Sequence, residues 1–150
     1  MTLSDLLTPS LVKVGLESAD KDELFHEMVQ FLAEAGRLPD RAEALSALYA
    51  REAKMSTGIA PAVAIPHGKL TGIRDTLVGL GTSPRGIAYQ SLDGGPVHVV
   101  VMVFAEAGNP GPHIAALAEI SRLFLVPGFT RRVQEARSPG EVLDLIRNAE

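Results

Sequence analysis

Apolar residues recur at helical spacing in five segments of the chain. Two segments start with an aspartate that has a glutamate three residues later, and they predict helices at about Asp20–Ala35 and Asp40–Glu52. A third helix starts at His113 and ends at Pro127-Gly128, a short one follows, and the last begins at Ser138. The predicted inward positions are Leu24, Phe25, Met28, Val29, Leu32, Leu45, Leu48, Tyr49, Leu117, Ile120, Phe124, Phe129, Val133, Val142, Leu145 and Ile146.

Short apolar runs between these helices predict strands. The run Val97–Ala105 is β-branched and aliphatic almost throughout, which is typical of a central strand buried on both faces. Residues 59–65 alternate in side-chain size but contain Pro61, which favours an edge strand or two short pieces. A loop is expected over 69–75. The other predicted strands are Leu11–Leu16, Thr76–Gly81 and Ile87–Tyr89.

Strands and helices interleave along the chain, which predicts an α/β fold. We expect a three-layer sandwich with one mixed parallel and antiparallel sheet and helices on both faces. The turn Asp93-Gly94-Gly95-Pro96 allows at least one antiparallel pair. A length of 150 residues suits a single domain over 1–150.

Composition excludes several classes of function. Hydrophobic residues make up 46% of the chain and charged residues 21%, with a net charge of −4 and no basic run, which argues against nucleic acid as a partner. The absence of cysteine excludes disulfides, thiolate catalysis and cysteine-based zinc sites. The N-terminus lacks a signal-peptide pattern, and the longest apolar run, Val99–Ala105, is too short to cross a bilayer. We therefore expect a cytoplasmic protein without direct membrane insertion.

The candidate chemistry lies between Arg51 and Leu70, where a small-residue segment ends at Pro66-His67-Gly68. Pro66 fixes the backbone before the imidazole and Gly68 leaves room after it, so His67 is predicted at an exposed turn. A neutral imidazole is a nucleophile near pH 7 and can accept a phosphoryl group. The residues that can support such a group are Arg51, His113 at a helix start, the hydroxyls of Ser56 and Thr57, and Gly68.

Other interpretations of the same residues remain open. Arg51 can simply be a cation at a helix C-terminus, and His67 a surface turn residue. His26 and His98 are best explained as a solvated helix residue and a hydrogen-bonded strand-end residue. A metal site made by His67 and His113 lacks a third obvious ligand. Neither a Walker A motif nor GxGxxG is present, so we expect no metal and no bound cofactor.

The segment resembles the active-site region of the mannitol/fructose-type EIIA domains of the phosphoenolpyruvate-dependent phosphotransferase system (PTS), which include nitrogen-regulatory EIIA. The resemblance rests on Arg51-Glu52, Ser56-Thr57-Gly58 and Ala64-Ile65-Pro66-His67-Gly68. It implies a sheet of about five strands, His67 as the phosphoryl acceptor, Arg51 beside it, and His113 as the second histidine in its His-x-x-x-Leu context. The chain departs from many members at Ala60-Pro61-Ala62, where they have glycines.

The resemblance also implies partners. Phosphorylated HPr, or its nitrogen-branch counterpart, is the expected donor, and an EIIB domain of fructose or mannitol uptake is the expected acceptor. The alternative is a nitrogen-regulatory EIIA, a binding module whose phosphorylation sets its affinity for a regulatory target protein without onward transfer to sugar. No EIIB or EIIC segment is recognisable in the sequence, so the protein is expected to act in trans.

Overall fold

The computed structural model describes residues 2–58, 60–109 and 111–150. Across these residues the chain forms six α-helices, a 3₁₀ turn at Pro9–Leu11 and five strands. The helices are α1 (Leu3–Leu6), α2 (Lys21–Glu34), α3 (Arg41–Glu52), α4 (Gly111–Phe124), α5 (Phe129–Glu135) and α6 (Pro139–Ala149). The strands are β1 (Val12–Val14), β2 (Val63–Ala64), β3 (His67–Leu70), β4 (Leu77–Ile87) and β5 (Val97–Glu106).

The five strands form one mixed sheet. Strand β4 pairs with β5 in antiparallel fashion and with β1 in parallel. The short strands β2 and β3 follow each other along the opposite edge of β5, and both run parallel to it. Strand β5 is therefore central, and only its residues His98 and Glu106 are not fully buried. The prediction of a mixed sheet with a buried central strand is confirmed.

Helices cover both faces of the sheet. On one face α2 and α3 pack on each other, with α2 against β4 and α3 against β3. On the other face α1, α4, α5 and α6 pack together against β1, β4 and β5. The predicted three-layer sandwich is confirmed. None of these helices, over the residues just given, is long and apolar enough to cross a membrane.

The aspartate-led helix starts are confirmed. Asp20 and Asp40 each accept a hydrogen bond from the backbone N–H three residues on, as N-cap residues do. The glutamates at those third positions do not complete the boxes. Glu23 accepts from the N–H of Ala19, and Glu43 accepts from both the N–H and the hydroxyl of Thr71. The carboxylate of Glu43 therefore ties α3 to the residue after β3.

Most positions predicted to face inward are buried, but the inward face of α3 differs from the prediction. Tyr49 is 37% exposed, and Ala44 and Leu48 are the buried positions of this helix. The Tyr49 ring packs edge-on against Phe25 with 5.2 Å between centroids, and its hydroxyl donates to Asp22 at 2.9 Å. The helix thus packs inward through Ala44 and Leu48, and the tyrosine lies at the contact between α3 and α2. Three further predicted positions, Leu45, Leu117 and Leu145, are partly buried, whereas Leu143 is buried.

Strand boundaries between 59 and 87 differ from the prediction. Of residues 59–65 only Val63–Ala64 forms a strand, and Ile59 lies outside the described residues. The expected loop over 69–75 starts later, because 67–70 forms β3 against β5. The strand predicted at Thr76–Gly81 is observed at Leu77–Ile87, so it reaches the first residue of the separately predicted strand Ile87–Tyr89, with a register shift between Thr82 and Ile87. The later start of the loop and the greater length of β4 arise because pairing with β5 extends segments that have weak strand patterns of their own.

Ala62 has a left-handed backbone conformation, with φ at 66°. Its carbonyl accepts hydrogen bonds from the N–H groups of His98 and Val99, which hold this turn against the start of β5. An L-residue with a Cβ is strained there by about 1–2 kcal/mol.

We expect Ala62→Gly to raise the free energy of unfolding by about 0.5–1 kcal/mol, the relief of strain less the backbone entropy of glycine. Ala60→Gly is the matched control two residues away, where φ is not positive, and it should lower stability by about 0.5–1 kcal/mol. Urea unfolding of the two variants beside the wild type measures both effects. Equal destabilisation by the two glycines would contradict the strain at Ala62.

Candidate functional site

His67 is the first residue of β3 and is half-buried. Its Nδ1 is 2.8 Å from the carbonyl oxygen of Ile65, and its Nε2 is 3.2 Å from Nε of Arg51. A carbonyl can only accept and an arginine Nε–H can only donate, so the proton lies on Nδ1 and the lone pair on Nε2. The prediction of an exposed turn is wrong, because pairing with Val103 of β5 places His67 at the start of a strand.

Arg51 lies in the last turn of α3 and reaches two acceptors. Besides its contact with His67, its Nη1 donates to the carbonyl oxygen of Met55 at 2.8 Å. The helix comes close enough because it rests on Gly68. A Cβ at Gly68 would lie 2.8 Å from the Cβ of Ala47 on α3. The glycine therefore sets the distance between α3 and β3, and with it the distance between Arg51 and His67.

His113 lies in the first turn of α4, two residues after the helix begins at Gly111. Its ring centroid is 5.3 Å from that of His67, with an angle of 50° between the ring planes. The side chain is buried, and within the described part of the chain its Nδ1 has no hydrogen-bond partner. The two histidines and Arg51, far apart in the sequence, thus meet at one place.

The surroundings keep both imidazoles neutral. Burial, followed by the positive charge of Arg51, lowers the pKa of His67, against the opposing effects of the Ile65 carbonyl and Glu52. Burial, followed by the charges of His67 and Lys69, lowers the pKa of His113. A pKa below the ordinary value of about 6.5 leaves His67 with a free lone pair at neutral pH. The site can therefore present Nε2 as a nucleophile beside a cation and a second imidazole.

A family model described as "Phosphoenolpyruvate-dependent sugar phosphotransferase system, EIIA 2" matches residues 5–149. The chain belongs to this family. It is 36% identical over 146 residues to the PTS system fructose-specific EIIABC component of Bacillus subtilis, covering 97% of this chain and 23% of that protein. It is 28% identical to the fructose-specific EIIA component of Haloferax volcanii over 97% of both chains. It is also 28% identical to the nitrogen regulatory protein of Bradyrhizobium diazoefficiens, over 97% of this chain and 95% of that one.

Solved structures show the same EIIA fold. Nitrogen regulatory protein IIA-Ntr from Neisseria meningitidis superposes with a TM-score of 0.87 at 24% identity, covering 96% of this chain and 98% of that one. The Escherichia coli complex of enzyme IIAMTL with phosphorylated enzyme IIBMTL superposes with a TM-score of 0.79 at 20% identity, covering 95% and 97%. The predicted family and architecture are therefore confirmed.

Two other predicted EIIA site residues, Ser56 and Thr57, make hydrogen bonds to neighbouring groups of the protein. The Ser56 hydroxyl accepts from the N–H of Gly58 at 3.1 Å. Thr57 is 2% exposed, and its N–H and hydroxyl both donate to the carboxylate of Glu52, at 2.9 and 2.7 Å. Both hydroxyls therefore shape the loop between α3 and β2. Their predicted role as donors to a phosphoryl group stays a prediction.

The structure adds three residues that sequence reasoning did not place in the site. Glu52 forms an ion pair with Lys21 at 3.1 Å, and the Tyr89 hydroxyl lies 2.7 Å from that of Thr57. Glu52 was visible in the sequence as the neighbour of Arg51 in the EIIA pattern. Lys21 begins α2 and Tyr89 follows β4, and no local pattern connects either of them to His67. Over residues 2–58, 60–109 and 111–150, no three or more metal-binding side chains come together.

The lowered histidine pKa values predict a pH dependence of stability. As the pH falls, the unfolded chain takes up protons on these residues before the folded chain does. The free energy of unfolding should be insensitive to His67 and His113 above about pH 6.5 and should decrease from there toward their folded-state pKa values. Urea unfolding at several pH values across this window measures the slope.

The double variant His67→Gln with His113→Gln should have a shallower slope than the wild type. His26→Gln, which removes an exposed histidine of α2, is the matched control. An unchanged slope in the double variant would contradict the assignment of the lowered pKa values to this pair.

Proposed function

We propose that the protein is a cytoplasmic PTS phosphocarrier, which accepts a phosphoryl group on Nε2 of His67 from a phosphorylated HPr-type donor and passes it to an EIIB acceptor. One observation carries the proposal: the Nδ1–H of His67 is held by the Ile65 carbonyl while Nε2 faces Arg51. A single nitrogen is thus presented as the nucleophile, next to a group that binds phosphoryl oxygens.

The transfer needs positioning and little further chemistry. The lone pair of Nε2 attacks phosphorus, the bond from phosphorus to the donor nitrogen breaks, and its electron pair returns to the donor ring. The Nδ1–H of His67 keeps its hydrogen bond to Ile65, which supports positive charge on the ring during the step. Arg51 exchanges its contact with Nε2 for contacts with the equatorial oxygens, where a guanidinium binds in a bidentate way.

His113 completes the arrangement from the other side. Its ring is 5.3 Å from that of His67, and it lies at the N-terminus of α4, whose backbone dipole favours a negative group. The unpartnered Nδ1 is consistent with a hydrogen bond that forms only when a phosphoryl group is present. We therefore assign to His113 the binding of a phosphoryl oxygen.

A protein donor needs a docking surface around the site. Three exposed apolar side chains lie on segments next to it: Met55, whose carbonyl contacts Arg51; Leu92, whose N–H donates to the Gly58 carbonyl; and Ile114, next to His113. Apolar side chains at the centre of a contact supply much of its binding free energy. We assign the contact with the phosphorylated donor to these residues.

Ile114→Glu is expected to raise KM for the phosphorylated HPr-type donor by about tenfold, the effect of losing one central contact. Phosphorylation by a small donor such as phosphoramidate should be unchanged, because it does not need the docking surface. Leu125→Glu is the matched control, since Leu125 is 71% exposed just beyond the far end of the same helix. A similar rise in KM for both variants would contradict the docking surface.

The second candidate is a nitrogen-regulatory EIIA that binds a target protein according to its phosphorylation state. It is favoured by the nitrogen regulatory protein of Bradyrhizobium diazoefficiens, which matches nearly end to end. Onward transfer is favoured by the fructose-specific relatives, and the IIAMTL–IIBMTL complex supports an EIIB partner. A test for phosphoryl transfer from the phosphorylated protein to a fructose-class EIIB distinguishes the carrier from the regulatory module.

The test of the carrier function starts from phosphoenolpyruvate with Enzyme I and HPr of either the sugar or the nitrogen branch. Intact mass spectrometry should show one added phosphoryl group that is lost on acid treatment. Nitrogen-15 and phosphorus-31 spectra should place it on Nε2 of His67. The absence of any added group with both branches, or a group on Nδ1, would overturn the proposal.

A further inference from the structure

A buried hydrogen-bonded network holds the loop between α3 and β2, which leads to His67. At its centre is the Glu52 carboxylate, whose side chain is 6% exposed. It accepts from the N–H and hydroxyl of Thr57 and pairs with Lys21. A carboxylate in such a place is stable only when its charge is paired and its oxygens accept hydrogen bonds. Thr57 and Lys21 meet both requirements.

Tyr89 is the fourth member of the network. Its side chain is fully buried, its hydroxyl lies 2.7 Å from the Thr57 hydroxyl and 3.4 Å from Oε2 of Glu52, and Nζ of Lys21 lies 4.7 Å above its ring. The Thr57 hydroxyl donates to Glu52, so the single proton of the Tyr89 hydroxyl is shared between the Thr57 hydroxyl oxygen and Oε2 of Glu52. Three hydrogen bonds therefore hold Thr57, one at its N–H and two at its hydroxyl, which fixes its backbone.

Two hydrogen bonds connect the backbone of Thr57 to the ring of His67. Its carbonyl accepts from the N–H of Ile65 at 3.0 Å, and the carbonyl of Ile65 accepts the Nδ1–H of His67 at 2.8 Å. The acceptor that fixes the tautomer of His67 is thus itself held by the network. Hydrogen bonds in a series of this kind, away from water, act as a unit.

We propose that Lys21 and Tyr89 are positioning residues for His67, which hold the Ile65 carbonyl on Nδ1–H through Glu52 and Thr57 and so keep the lone pair on Nε2. The effect of Lys21 and Tyr89 on the His67 tautomer is a property of the folded, unphosphorylated protein. Their effect on phosphoryl transfer rests on the proposed function. Removal of Lys21 leaves the Glu52 carboxylate buried without its cation. Removal of the Tyr89 hydroxyl takes one of the three contacts from Thr57.

The chain contains a matched control for each residue. Tyr49, like Tyr89, packs edge-on against Phe25, but its hydroxyl bonds to Asp22 outside the network. Lys13, like Lys21, pairs with a glutamate, Glu27 at 3.0 Å, and lies over an aromatic ring, that of Phe31. Tyr89→Phe is therefore compared with Tyr49→Phe, and Lys21→Met with Lys13→Met.

The first measurement is the nitrogen-15 spectrum of the His67 ring in each folded, unphosphorylated variant. We expect the wild type, Tyr49→Phe and Lys13→Met to show one tautomer, with the proton on Nδ1. In Tyr89→Phe and Lys21→Met the two ring resonances should move toward each other as the second tautomer becomes populated. Lys21→Arg, which keeps the cation, should restore the wild-type spectrum.

The second measurement is the rate of phosphorylation by the HPr-type donor. Tyr89→Phe and Lys21→Met should lower kcat by about tenfold with KM unchanged, because the nucleophile is misoriented while the docking surface is intact. Wild-type ring spectra in both variants, with circular dichroism showing them folded, would overturn the proposal. The ring spectra test the positioning role even if the wild type accepts no phosphoryl group. Failure of the proposed function is therefore distinguished from failure of this proposal.

Discussion

His67→Gln is expected to accept no phosphoryl group from the phosphoenolpyruvate-driven carriers. Glutamine fits the same space, and its amide can donate toward the Ile65 carbonyl and accept from Arg51, as the imidazole does. It has no nucleophilic lone pair on nitrogen, so the acceptor is lost and the surrounding contacts are kept. Intact mass spectrometry of the variant beside the wild type measures the loss.

His98→Gln is the matched control for this loss. Like His67, His98 is a half-buried residue at the start of a strand, and its Nδ1 lies 2.7 Å from a backbone carbonyl oxygen, that of Ser83. The His98→Gln variant should accept one phosphoryl group as the wild type does, because Arg51 and His113 lie at His67 and do not contact His98. A phosphoryl group retained in His67→Gln and lost in His98→Gln would show that the acceptor is His98 and not His67.

Arg51→Met should lower the rate of phosphorylation by about 10²–10³-fold, the usual cost of removing a donor aimed at developing charge. Methionine keeps the apolar stem of the side chain, so packing at the end of α3 changes little. The variant also removes the positive charge that, after burial, lowers the pKa of His67, so that pKa should rise. Nitrogen-15 spectra recorded across pH measure this second effect without any phosphoryl donor.

Arg122→Met is the control for Arg51, since Arg122 also binds two acceptor atoms, but those of Glu119 on the exposed side of α4. It should leave both the rate and the pKa of His67 unchanged. Arg51→Lys should recover only part of the rate, because a lysine carries the charge without the planar fork. Full activity of Arg51→Met would refute the assignment of phosphoryl binding to this residue.

The helices were predictable because their signals are local. An aspartate N-cap, followed by apolar residues at helical spacing, determines where α2 and α3 begin. The central strand β5 was predictable for a similar reason, since its apolar run is unbroken apart from one histidine. Strand β3 was not, because His67-Gly68-Lys69-Leu70 has no strand pattern of its own and is extended only by pairing with β5.

The candidate site divides in the same way. Arg51, His67 and His113 were identified from motif and chemistry, and the structure brings them together. Their exact surroundings depend on contacts between distant segments, so sequence reasoning could not assign Lys21 or Tyr89 to the site. The role of the Thr57 hydroxyl as a donor to the phosphoryl group stays a prediction, and its bonds to Glu52 and Tyr89 join segments that no local pattern connects.

The contact between Gly68 and Ala47 has a consequence for evolution. The three atoms nearest to a Cβ at position 68 all belong to Ala47, so the gap between Arg51 and His67 is set where α3 rests on β3. Core residues can then be exchanged over many generations while the chemistry stays in place, as identities of 20–36% across a shared fold suggest. A single methyl group at position 68, by contrast, would separate the two groups at once, so selection should act on this glycine more strongly than on any leucine of the core.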